Sequence, residues 1–248
     1  MAEDEETGDQ PIAAGSFGAW LAGMDRVLAG EGESEVPCGA CTACCRSSQF
    51  VPIGPDEADT IAHIPAELLF PAPRRPPGHV LLGYDDRGHC PMLVDDRCSI
   101  YEHRPRTCRT YDCRVFPAAG VELDDGVQPA VGRRARRWRF DYPDEADEVR
   151  HAAVRAAAAF VVEHGDQLPT ALVPANVTQR AVLAVWVRGA FMGDDGVGQA
   201  VVVEPEPEAV RVVLSARRAR SAQPFRAGCS SSDQKRKNPA WSGPIWWK

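Results

Sequence analysis

Apolar residues recur at three- and four-residue steps through Phe17, Trp20, Leu21, Met24, Val27 and Leu28, and the run stops at Gly30. That spacing puts the six on one face of a helix, and the glycine supplies its end. A second helical period runs from Glu145 to Glu163, with Val149, Ala153, Ala156 and Phe160 on one stripe. A third, Asn176 to Met192, is apolar on most sides and reads as a buried or paired helix. The period shortens in between. Val51 to Ile64 predicts a short strand and then a helix, opened by Gly54-Pro55, with Asp56 and Glu57 in a first turn where the helix dipole favours acids. Phe70 to Gly78 carries Pro71, Pro73, Pro76 and Pro77 and predicts a loop. Val80 to Tyr84 and Cys90 to Val94, joined by a turn at Asp85 to Gly88, predict a hairpin. A further turn at Asp95-Asp96 leads to Cys98, Ser99, Ile100 and Tyr101. Val201 to Val203 and Val210 to Leu214 predict strands around the turn Glu204-Pro205-Glu206-Pro207, and beyond Ser215 the chain is basic, serine-rich and unpatterned.

These elements predict an α+β fold: a small, irregular, metal-stapled cysteine-cluster domain with short hairpins, flanked by helices. The expected divisions are an acidic disordered tail over residues 1–15, the cysteine-cluster unit with its N-terminal helix over 16–120, a mainly helical portion over 121–214 and a basic disordered tail over 215–248. With 21 glycines and 21 prolines in 248 residues, much of the backbone is irregular and the core modest.

Charge narrows the functional classes. A net charge of -7 disfavours general affinity for polyanions. Against that average stands a basic burst at Arg133, Arg134, Arg136, Arg137 and Arg139, where Trp138 and Phe140 could stack on bases. A nucleic-acid-binding module is therefore carried as an alternative that the net charge disfavours. The first residues are acidic with no apolar core after them, so no secretory signal is expected. The apolar run Ala181 to Val187, fenced by Arg180 and Arg188, is too short to span a bilayer. The expected setting is cytoplasmic, where closely spaced cysteines serve as metal ligands more readily than as disulfides.

Eight of the nine cysteines fall between Cys38 and Cys113. The first cluster is Cys38, Cys41, Cys44 and Cys45; the second is Cys90, Cys98, Cys108 and Cys113. Two thiolates spaced Cys-x2-Cys can reach one ion at about 2.3 Å, and Cys44 continues the spacing. Adjacent side chains point apart, so Cys44 and Cys45 do not share one mononuclear ion comfortably: one serves a second site, bridges two metals, or stays free. Eight thiolates suit two four-coordinate zinc ions, or one [4Fe-4S] cluster with four cysteines left over. A zinc ion with four thiolates carries an excess of two negative charges, which Arg46, Arg97, Arg104, Arg106, Arg109 and Arg114 could offset. His63, His79, His89 and His103 are secondary ligand candidates, with His89 best placed beside Cys90; Cys229, alone in the tail, has no expected role.

The order Cys38-x2-Cys41-x2-Cys44-Cys45, then Cys90-Pro91-Met92-Leu93, then Cys98-Ser-Ile-Tyr101-x2-Arg104-Pro105-x2-Cys108-Arg109-x-Tyr111-x-Cys113, resembles the YkgJ-type cysteine-cluster family with its CxxCxxCC signature, described as zinc- or iron-chelating. The resemblance spans about Cys38 to Phe116. It implies a zinc or iron centre, or an iron-sulfur cluster, bound by Cys38, Cys41, Cys44, Cys45, Cys90, Cys98, Cys108 and Cys113. It fixes no reaction. A related domain occurs in flagellin lysine N-methylases, so protein methyl transfer is one enzymatic alternative and iron-sulfur redox chemistry the other. The residues add little to either. Gly193, Gly196 and Gly198 follow a helix and lack dinucleotide-fingerprint spacing, and no Ser-His-Asp or paired-carboxylate motif stands out.

Overall fold

The computed structural model describes residues 10–73, 75–123, 126, 128–168 and 172–221, with side chains to residue 216. The chain opens with strand β1 (Ile12–Ser16), which runs directly into helix α1 (Phe17–Ala29). Ser16 caps α1 by accepting from the Ala19 N–H at 3.3 Å, and Gly30, at φ +77°, closes it by donating back to the Arg26 and Val27 carbonyls. The six apolar positions that predict this helix are all buried. Residues 12–16 correct the expected tail: they pair in parallel with strand β7 (Trp138–Asp141), with a bulge between Ala13 and Gly15. Residues 1–9 of that tail lie outside the described residues.

The middle of the chain is made of short elements. Strand β2 (Val51–Ile53) leads to helix α2 (Ala58–Ala62), then β3 (Leu69–Pro71) and β4 (Val80–Leu82); β5 (Leu93–Val94) and β6 (Arg97–Cys98) follow. The sheet order is β2-β4-β3, both pairings antiparallel. The predicted hairpin from Val80 to Val94 does not form. The chain does turn at Asp85, whose carboxylate accepts the Arg87 and His89 N–H groups, but Cys90 then donates to the Cys45 carbonyl instead of to β4. β4 is claimed from both sides because Leu82 belongs in the core. The predicted proline loop starts as strand β3. Pro52 and Pro71 sit on the two edge strands, where a missing N–H costs no ladder bond. The Asp95-Asp96 turn does join β5 to β6, both residues at positive φ, as a two-residue hairpin loop requires.

Short helices α3 (Arg106–Thr110), α4 (Val115–Ala119) and α5 (Pro129–Arg137) lead through β7 to the long helix α6 (Glu145–Glu163), then α7 (Val177–Val187), the hairpin β8 (Met192–Asp194) and β9 (Ala200–Val202), and α8 (Pro207–Ser221). The glycine-rich stretch is the turn of that last hairpin. Val210 and Leu214, expected in a strand, are buried one turn apart on α8. Their i, i+4 spacing is the helical period, and the helix carries on through 215–221 where a tail was expected. The rest of that tail, 222–248, with Cys229, lies outside the described residues.

Two cores result. The larger joins α1, α4, α6, α7 and α8, with every residue from Ala181 to Val187 buried. The smaller holds Ile53, Ile64, Leu82, Met92 and Ile100, with Cys90 and Cys98 partly buried against it. Together they make a mixed α+β structure. Among the described residues no helix is long and apolar enough to cross a membrane.

Candidate metal centre

Cys38 and Cys41 flank a tight turn closed by the Cys41 N–H on the Cys38 carbonyl at 3.0 Å, with Gly39 at φ +56°, a conformation that favours glycine. The chain then enters a single 3-10 turn, Ala43–Arg46. At three residues per turn, Cys44 and Cys45 leave its axis about 120° apart. The divergence expected from adjacency is thus built into the backbone.

The sulfurs influence one another unevenly, and Cys41 acts on both Cys44 and Cys45. Crowding pushes the Cys44 thiol well up, and the groups acting on it next are Cys113, Cys38 and Cys41, ahead of its neighbour Cys45. Burial raises Cys113 to about 12, with Cys38 and Cys41 adding to the rise and a hydrogen bond from Trp138 opposing it. Burial also raises Cys38, followed by Cys41. Cys45 belongs elsewhere: burial raises it to about 12, and Cys90 and Cys98 act on it next. Cys108 is crowded and pushed up, then raised further by Cys45, Cys90 and Cys98. By area Cys44 and Cys108 remain exposed. The first group is Cys38, Cys41, Cys44 and Cys113; the second is Cys45, Cys90, Cys98 and Cys108. Each mixes residues from both sequence clusters.

Backbone contacts hold the second group. The Cys90 N–H donates to the Cys45 carbonyl at 2.7 Å, and Cys98 stands opposite Leu93 in the β5–β6 hairpin. Helix α3, which carries Cys108, is tied down by Thr107 donating to the Pro52 carbonyl at 2.7 Å and by the Arg106 N–H on Glu57. Arg104 and Pro105 are extended, as the proline demands, and turn the chain into α3.

The first group is held from the helical side. Trp138 is 1% exposed, and its indole N–H donates to the Cys113 sulfur at 3.1 Å. Arg134 on α5 donates to the Cys38 carbonyl at 3.2 Å. Trp138 is therefore unable to stack on a base, and Phe140 is packed against Phe17 and Trp20. This overturns the stacking surface read from the basic burst.

Both groups fit zinc or iron by donor type: four thiols each, without competing disulfides. They are gathered but not closed. No three of the eight sulfurs lie within 4.8 Å of one another, whereas a tetrahedral shell needs about 3.8 Å between sulfurs.

Arginines are distributed unevenly around the sulfurs. Arg46 favours the Cys45 thiolate, Arg104 that of Cys108, and Arg134 and Arg114 that of Cys38. Arg106 and Arg109 are instead paired with Asp56 and Glu33. Arg134, part of the basic burst, has no sequence signal for a place beside the sulfurs because it lies far along the chain; the packing of α5 on the 3-10 turn brings it there. Arg114 is a buried clamp: it pairs with Asp112 at 2.7 Å and donates to the Ala14 and Glu35 carbonyls, while Trp20 donates to Asp112 at 3.0 Å.

The histidines stand apart from the sulfur groups. His89 faces Arg46 at 3.4 Å, and His79 contacts the Pro76 carbonyl at 3.1 Å. His63 and His103 come together with Asp59, a grouping that the i, i+4 spacing of Asp59 and His63 on the predicted helix half-announced.

No curated protein and no solved structure matches the chain. Residues 37–125, the stretch that carries all eight clustered cysteines, match the family model CxxCxxCC, "Putative zinc- or iron-chelating domain".

Proposed function

We propose that the protein holds two four-thiolate metal centres, one on Cys38, Cys41, Cys44 and Cys113 and the other on Cys45, Cys90, Cys98 and Cys108. The observation that carries this reading is the separation of Cys44 from Cys45 on one 3-10 turn, with Cys90 bonded to the Cys45 backbone at 2.7 Å. Zinc suits the arrangement best. A complete thiolate shell leaves no open position for substrate, so such ions act as staples, and the smaller core rests, among the described residues, on five buried apolar side chains. Iron in the same shells would supply electron exchange. The chain's own residues would then exclude water through Ile100 and Trp138 and temper the thiolate charge through Arg46, Arg104, Arg114 and Arg134. Clustered free thiols favour a reducing compartment such as the cytoplasm.

Anaerobic purification, elemental analysis and a visible spectrum test the reading together. A colourless protein with stoichiometric zinc is expected, and Cys41→Ser should lower bound metal. A brown protein would replace zinc by an iron-sulfur centre; unchanged metal content in Cys41→Ser would contradict the ligand assignment.

A further inference from the structure

We propose that Asp59, His63 and His103 form a third metal site, open and exchangeable, for a divalent first-row transition ion. Each residue offers one ligand atom, and the three atoms lie within 4.8 Å of one another. Asp59 lies on α2 and His63 caps its C-terminal end, and His103 arrives from the 3-10 turn Tyr101–His103. The two imidazoles stack with centroids 3.5 Å apart and planes 7° from parallel.

Asp59 organises both rings. Its carboxylate meets Nδ1 of His103 at 2.7 Å and Nδ1 of His63 at 3.8 Å, and its backbone carbonyl meets Nδ1 of His63 at 2.8 Å. Both Nδ1 edges therefore face the same oxygen-rich corner. The hydrogen bond from His103 holds the Asp59 carboxyl below its usual range, keeping it anionic beside the rings. A metal entering between Asp59 and the rings takes the place of the hydrogen on Nδ1 of His103, and that ring keeps its proton on Nε2 instead.

Two imidazoles and a carboxylate suit Zn2+, Co2+, Ni2+ or Cu2+. Three protein ligands leave further positions to water, so exchange is fast compared with a closed thiolate shell. All three side chains are solvent-accessible, which gives an ion direct access.

The test uses full-length protein with its cysteine centres already loaded with zinc, titrated with Co2+ alone. One additional equivalent is expected, with weak d–d bands and no sulfur-to-cobalt charge-transfer band. His63→Gln and His103→Gln should each weaken uptake by at least about tenfold, with a smaller loss in Asp59→Asn. His79→Gln, at a half-buried histidine outside the trio, should change nothing. Circular dichroism confirms that the variants are folded. Absence of the extra equivalent, an equivalent that carries the sulfur bands, or uptake that survives both histidine substitutions overturns the proposal. The cysteine centres are read separately, through retained zinc, so failure here leaves them standing.

Discussion

Stripping the bound metal should release the segment around the smaller core while leaving the helical core folded. Structural zinc contributes roughly 10–16 kcal/mol of apparent free energy at neutral pH. The smaller core has little to set against that loss: Ile53, Ile64, Leu82, Met92 and Ile100 are its buried side chains, on strands of two or three residues. The loops between them would regain their backbone entropy at once. The larger core is self-sufficient, with α7 buried from Ala181 to Val187 and packed against α6 and α4. Hydrogen exchange with and without a strong chelator checks this. Amides of β2, β4, β5 and β6 should exchange freely in the chelated protein, and those of α6 and α7 should stay protected. Uniform loss of protection, or none, would contradict the two-core description.

Arg114→Met should cost about 3–5 kcal/mol of stability, because it leaves Asp112 as a buried charge without its cation. Asp112 and Arg114 are 3% and 7% exposed. The guanidinium also ties together two distant stretches through the Ala14 and Glu35 carbonyls. The Trp20 indole N–H and the Arg114 backbone N–H remain as donors to Asp112, but neither carries charge. Cys113 lies between the two residues, so the same substitution should loosen the first sulfur group. Urea denaturation measures the stability, and a loss below about 1 kcal/mol would show that the clamp is dispensable. A partial recovery in Arg114→Met combined with Asp112→Leu would identify the orphaned charge as the cause.

The helices were legible where apolar periodicity was long: all six expected positions of α1 are buried, while on α6 Ala153 and Phe160 are buried and Val149 and Ala156 half-buried. Short apolar runs were ambiguous. Val210 to Leu214 alternates plausibly as a strand, yet Val210 and Leu214 are the buried pair and the run is helical. Val80 to Leu82 was recognised as strand, but its partners depend on which distant segments need the buried face of Leu82, and no local signal carries that. The cysteines were all visible, and so was the conflict between Cys44 and Cys45. The allocation proposed for them was not, because Cys113 and Cys108 are only five residues apart and their different surroundings depend on the docking of α3 on β2. Trp138 and Arg134 read as a basic, aromatic surface; burial of the indole and its bond to Cys113 turn them into supports for the first sulfur group.

Metal content by native mass spectrometry, compared across Cys44→Ser, Cys45→Ser and the double variant, tests the division of the eight cysteines most directly. The account predicts two centres in the unsubstituted protein, one in each single variant and none in the double. Single variants that both keep full metal, or that each lose all of it, would contradict two separate centres.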